Sequence, residues 1–302
     1  MPPAIARRAA VCAPCDVLFE GRFWSVPHQT EESTRSDRGE GRACCVACQP
    51  LADGTAAEEG GLFFADAPTD GTDHASVNTN PETVPTVKKK RVAMTFDDGP
   101  HNVRTREIVD ELDKYGFTAT FFVVGNRVDG GVYSGGKTVK YVIEHGHEVG
   151  IHGYTHTVYY DSCTDAELNF EMSETAKAIH DQVQDYPIRL MRPVGGFISD
   201  ERVQSSPYSV IMWNVDSEDY KHAYSPGTTL SEAEQKACVD AIVENVMSNV
   251  EDGSIILMHD IYLSTVHATA VILERLHAEG YEVVSVSELL GNAVPGTKYS
   301  FK

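Results

Sequence analysis

Between Lys88 and Val286 the chain alternates short runs of β-branched, aliphatic and aromatic residues with longer segments of helical period, and this alternation narrows the possible folds more than any other feature. Strand signals fall at 91–96, 118–124, 147–151, 188–191, 208–215, 254–258 and 281–286. The spacing predicts helices over about 103–115, with Ile108, Val109 and Leu112 on one face and Gly116 as C-cap, and over 139–145, 166–183, 232–250 and 266–279. Strands joined by helical crossovers run parallel, so the expectation is a parallel α/β sheet or barrel in one domain.

With 302 residues the chain can build one domain of about 200 residues and an extension. Residues 1–86 are rich in Gly, Ala, Thr, Asp and Glu and keep neither period for long, which predicts a poorly ordered leader and linker ahead of a folded domain at 87–302. Arg7 and Arg8 precede a short apolar stretch, but Asp16 interrupts it before a convincing secretion signal forms. Cys12, Cys15, Cys44, Cys45 and Cys48 also lie in this region. As C-x-x-C and C-C-x-x-C they could hold structural zinc, but their separation of roughly 30 residues is long for a zinc ribbon, and free thiols are the plainer reading. Cys163 and Cys238 stand far apart, with no pairing implied.

A hydrophobic content of 41% suffices for a core, and a net charge of −20 argues against nucleic acid or anionic lipid as partner. No apolar run is long enough to span a membrane. A neutral or weakly charged substrate fits better.

Polar clusters follow the strands, where an α/β barrel carries its active site. Thr95-Phe-Asp-Asp-Gly-Pro100 offers two adjacent carboxylates, one for a metal and one for a proton. In His152-Gly-Tyr-Thr-His156, two imidazoles four residues apart can meet one ion, with a carboxylate from elsewhere completing the set. Arg192-Pro-Val-Gly-Gly196 brings a cation and an accessible backbone. In Trp213-Asn-Val-Asp-Ser-Glu-Asp-Tyr220 either Asp216 or Asp219 could orient a histidine, and Leu257-Met-His-Asp260 ends an apolar strand on the titratable His259. Each cluster alone is ordinary strand-end polarity; five in this order are not.

T-F-D-D-G-P, H-x-x-x-H, R-P-x-x-G, D-S-x-D-aromatic and L-x-H-D, in that order over 87–290, resemble the motifs of the carbohydrate esterase family 4 deacetylases, the NodB homology domain. The resemblance implies a distorted (β/α) barrel, a divalent metal that is usually zinc, with cobalt or another divalent ion as substitute, and hydrolysis of N-acetyl or occasionally O-acetyl groups on a glycan such as peptidoglycan or chitin. It makes Asp98, His152 and His156 the metal ligands, Asp97 the general base and His259 the general acid. Arg192 would keep Asp97 charged, and Asp219 would orient His259. The Gly195 N–H would help stabilise the oxyanion, while Leu257 and Tyr220 would wall the acetyl pocket. This substrate class implies action outside the cell or in its envelope.

Three positions depart from the family pattern. Gly153 stands where Ser or Thr is usual, removing a hydrogen bond behind the ligands and lowering the expected metal affinity. Gly195 replaces a tyrosine and Tyr220 a tryptophan, which is expected to open the cleft beside the sugar. Two rival readings are an inactive glycan-binding relative and a metal amidohydrolase of small molecules. The motifs specify neither the glycan nor an oligomeric state.

Overall fold

The structure, a computed structural model, describes residues 89–130 and 135–301. The expected leader at 1–86, with its cysteines, and the expected domain start at 87 lie outside the described residues.

The chain runs β1 (Lys90–Asp97), α1 (Arg104–Asp113), β2 (Thr120–Val123), α2 (Gly125–Val128), α3 (Gly136–Glu144), β3 (Glu148–Ile151), α4 (Asp165–Gln182), β4 (Leu190–Met191) and α5 (Asp200–Ser205). It continues through β5 (Ser209–Ile211), β6 (Val215–Asp216), α6 (Glu232–Met247), β7 (Ile255–His259), α7 (Leu263–Ala278), β8 (Tyr281–Val283), α8 (Val286–Leu290) and β9 (Lys298–Tyr299). The described strands pair in parallel in the order β6-β7-β1-β2-β3-β4-β5-β9, and β8 joins the start of β1. The result is a curled parallel sheet with helices against it, an open and distorted (β/α) barrel. One antiparallel bridge, Ser254 to Phe301, ties the chain beyond β9 to the foot of β7.

Successive side chains of a strand point to opposite faces, so each strand serves two cores. Val92, Met94 and Phe96 of β1, Phe121 and Val123 of β2, Met191, Val210, Ile256 and Met258 pack outward with Ile108, Leu112, Ile179, Ile242 and Ile272 of the helices. The alternate residues Ala93, Phe122, Leu190, Ile211 and Ile255 pack inward with Val286 and Leu289 of α8. Each large side chain so buried contributes about 1.5–3 kcal/mol. Continuing that inward phase to the strand ends gives Thr95 and Asp97 on β1, His152 after β3, Arg192 after β4, and Leu257 and His259 on β7. The alternation that builds the inner core thus also gathers the chemistry.

Helix starts are local. Thr164 and Glu167 form a reciprocal capping box at α4, as do Ser231 and Glu234 at α6, and such a cap contributes about 1 kcal/mol. The strand expected over 208–215 is two strands, because β5 pairs with β4 and β9 whereas β6 pairs with β7. Residues 212–214 cross between them, and the Asn214 side-chain carbonyl accepts the Ile255 N–H at 2.8 Å. The strand expected over 281–286 stops at Val283, since Ser285 caps α8 by accepting the Glu288 N–H. Cys163 and Cys238 are both free.

Candidate active site

Asp98, His152 and His156 each place a potential ligand atom within 4.8 Å of the other two. His156 Nε2 lies 2.9 Å and His152 Nε2 3.4 Å from Asp98 Oδ1. Ligand atoms at ordinary zinc distances stand about 3.4 Å apart in a tetrahedron, so this donor set fits a divalent ion. His152 Nδ1 donates to the Arg192 carbonyl at 2.9 Å, which fixes the ring and leaves the Nε2 lone pair for the site. Asp98 (φ 71°) and His156 (φ 60°) both sit in the left-handed region, at roughly 1–3 kcal/mol each. The Asp98 carbonyl accepts from Arg127 Nη1 at 2.6 Å, which holds the turn. Burial pushes the Asp98 carboxyl up, but hydrogen bonds from His152 and His156 and the charge of His259 outweigh it and hold the group well below the usual carboxylate range.

Asp97 is buried and its Oδ1 accepts from Arg192 Nη1 at 2.8 Å. Arg192 has no exposed surface. It also donates to Thr95 Oγ1 (2.8 Å) and to the carbonyls of Ile211 (3.0 Å) and Met212 (3.1 Å), and its guanidinium lies 4.4 Å from the Phe122 ring centroid. These bonds hold the guanidinium in one pose against Asp97. His152 Nε2 lies 3.6 Å from the other Asp97 oxygen, so Asp97 adjoins the Asp98-His152-His156 cluster.

On β7, where His259 is the register partner of Asp97, His259 Nδ1 is 2.7 Å from Asp219 Oδ1, while Asp219 Oδ2 accepts the His259 backbone N–H and the Thr265 hydroxyl, both at 2.7 Å. Burial pulls the His259 ring down, but the charge and hydrogen bond of Asp219, with Asp98 and Asp97 behind, push it up to about 10. The choice between Asp216 and Asp219 is decided here: Asp216 instead accepts the Glu218 N–H. Tyr220 stands edge-on to His259 at 5.9 Å between ring centroids, and Leu257 lies two residues before His259 on the same face.

Two expectations drawn from the departures change. At Gly153 (φ 80°) the backbone is left-handed and an added Cβ would fall 2.8 Å from the Tyr160 hydroxyl and 3.0 Å from Glu171 Oε2, so Ser or Thr here would be strained and would displace those side chains. Glu171 holds the loop instead. Its carboxylate accepts the N–H groups of Tyr154 (2.6 Å) and Thr155 (2.8 Å) and the Thr155 hydroxyl (2.6 Å). At Gly195 (φ 62°) the expected opening is filled, because a Cβ there would lie 2.9 Å from the Phe197 ring. Among the described residues the Gly195 N–H donates to no loop or turn carbonyl, whereas the Gly196 and Phe197 N–H groups close on Pro193 and Val194.

Thr95, Glu171, Thr265 and Phe197 adjoin the site beyond the residues expected from the motifs. Thr95 shares the inward phase of Asp97, and Glu171 interrupts the buried face of α4 formed with Met172, Thr175 and Ile179; both signals are visible in the sequence. Thr265 and Phe197 carry none.

A family profile described as polysaccharide deacetylase matches residues 85–207. The peptidoglycan-N-acetylglucosamine deacetylase PgdA of Listeria monocytogenes is 32% identical over 221 residues, 73% of this chain and 43% of that protein, so the chain spans less than half of this relative's length. A peptidoglycan-N-acetylglucosamine deacetylase of Bacillus cereus is 35% identical over 208 residues, 67% of this chain and 89% of that protein. Among solved structures, a family 4 acetyl xylan esterase from Clostridium thermocellum in complex with a cobalt ion matches with TM-score 0.60 and 28% identity, over 70% of this chain and 98% of that one.

Proposed function

The chain belongs to the polysaccharide deacetylase family, carbohydrate esterase family 4, and from that premise we propose that it is a divalent-metal-dependent hydrolase removing acetyl groups from N-acetylglucosamine residues of a peptidoglycan- or chitin-like glycan. One observation carries the reading: an Asp-His-His donor set shares the strand ends with a carboxylate locked by Arg192 and an imidazole locked by Asp219, Asp97 and His259 being register partners on β1 and β7.

Asp98, His152 and His156 would hold the ion, with zinc favoured by the mixed nitrogen and oxygen donors and cobalt an alternative. When bound, it supplies Lewis-acid polarisation of the acetyl carbonyl and acidifies water to near neutrality. Asp97, held in place by the Arg192 guanidinium, takes the proton of the attacking water. The Gly195 N–H donates to the carbonyl oxygen as it becomes anionic. An amide nitrogen leaves as an amine only once protonated. His259 donates that proton from the ring nitrogen opposite Asp219, which holds the tautomer and the imidazolium charge. Leu257 and Tyr220 border the acetyl methyl group. Such a substrate puts the site of action in the cell envelope or outside the cell.

The test is acetate release by the metal-loaded protein from peptidoglycan, chitooligosaccharides and acetylated xylan. Release from the N-acetylated glycans is expected, and no release from any of the three overturns the proposal.

A further inference from the structure

Two aromatic rings beside the site have no part in the chemistry above. Phe197 and Tyr159 are each 52% exposed, yet they pack against one another edge to face, with centroids 5.3 Å apart and planes at 77°. Both meet the position that a side chain at Gly195 would take: a Cβ there would lie 2.9 Å from Phe197 Cδ2 and 3.5 Å from Tyr159 Cε1. Phe197 follows the turn Val194–Gly196 that carries the Gly195 N–H, and Tyr159 lies just beyond the proposed ligand His156. The pair is therefore continuous with the site on the side of Gly195.

Two aromatic rings packed together and half exposed beside a site offer apolar surface that a ligand can cover. An edge-to-face pair presents a corner, one ring offering its face and the other its edge. A pyranose ring is the complementary shape, having one face of C–H groups and a perimeter of hydroxyls. We propose that Phe197 and Tyr159 form a stacking subsite for a sugar ring of the glycan next to the residue being deacetylated, so that Phe197 sets the enzyme's preference for oligomers over single sugars. This rests on the proposed glycan substrate. Phe197 occupies the volume beside Gly195, so a ring can enter the cleft from position 197 or from 195 but not from both.

The test compares full-length wild type, Phe197→Ala, Tyr159→Ala and Phe197→Tyr with the N-acetylglucosamine monomer and tetramer. Steady-state kinetics are paired with calorimetric titration of the same variants on an Asp97→Asn background. Phe197→Ala is expected to raise both KM and Kd for the tetramer by about tenfold, with kcat changing less than twofold and monomer affinity nearly unchanged. Tyr159→Ala should act in the same direction, whereas Phe197→Tyr, which keeps the ring, should behave as wild type. Both residues are half exposed, and unchanged melting temperatures would show that the variants fold. Wild-type KM and Kd for the tetramer in Phe197→Ala would overturn the subsite. Loss of self-association in that variant with unchanged sugar affinity would overturn it as well, assigning the pair to contact between copies. If wild type releases no acetate but binds the tetramer in a Phe197-dependent way, the subsite stands and the deacetylase reading falls. If it neither binds nor cleaves, both fall.

Discussion

Asp97 and Asp98 are neighbours with separate partners because the pleat breaks between them. On a regular strand adjacent side chains face opposite sides. The left-handed turn at Asp98 instead brings its carboxylate to His152 and His156 while β1 directs Asp97 to Arg192. Asp97→Asn should accordingly keep the metal and lose nearly all turnover, and His259→Ala should keep the metal and lose a factor of about a hundred or more. Metal analysis beside kcat checks both, and wild-type turnover in Asp97→Asn would exclude it as the base. Glu171 invites a test independent of activity. Glu171→Ala leaves two loop N–H groups and a hydroxyl without their acceptor, so affinity for zinc in chelator competition should fall about 10–100-fold. Glu171→Gln keeps an acceptor oxygen and should lose less. Equal affinity in all three proteins would mean that the loop holds its shape without Glu171.

At the scale of elements, strands β2 and β3 are joined at their feet by His147. Its Nδ1 accepts the Ala119 N–H at 3.2 Å, and the ring meets Phe121 edge-on at 5.8 Å. Its buried Nε2 has no hydrogen-bond partner among the described residues, and Asp113 Oδ1 is 3.8 Å away. Burial pulls the ring down to about 4; Asp113 opposes this and His145 adds to it. Protonation would also remove the acceptor that Ala119 uses. Between about pH 6.5 and pH 4 the unfolded chain therefore binds a proton that the folded chain does not, and stability falls as pH falls through that window. The full contribution, about 3 kcal/mol, is present above pH 6.5. Asn can supply the same acceptor without titrating. Urea midpoints should thus drop between pH 7 and pH 5 more steeply in wild type than in His147→Asn, and parallel declines would remove His147 as the cause. Asp260 pulls the other way, since burial raises its carboxyl to about 7 and its protonated form favours folding at low pH; the comparison with His147→Asn separates the two.

At the scale of the molecule, the proposed ligand set draws on the ends of β1 and β3, so an ion bound there would tie together parts of the sheet far apart in sequence. An ion at about a thousand times its Kd stabilises the fold by about 4 kcal/mol, which in a domain of this size is roughly 10 °C of melting temperature. Chelation should remove that increment from wild type and do nothing to His152→Ala; a melting temperature indifferent to chelator would mean that the site holds no ion. Deleting residues 1–80 is expected to leave a folded, metal-binding and active enzyme, checked by circular dichroism and acetate release, and an insoluble product would overturn that domain boundary. The alternation of strands and helices, the parallel sheet and the motifs at the strand ends were readable from the chain alone. Hydrophobic period and the side of a strand on which a residue falls are properties of neighbouring residues, and the inward phase that carries Ala93 and Thr95 carries Asp97 with them. Contacts made across the fold were not readable. Asp219 rather than Asp216 meets His259 because a turn and a strand 40 residues apart come together. The stretch 208–215 divides because its halves pair with different strands, and Phe197 fills the space beside Gly195 because a left-handed turn swings it there. Local pattern determined which residues face the site; only packing between distant segments decided which of them touch.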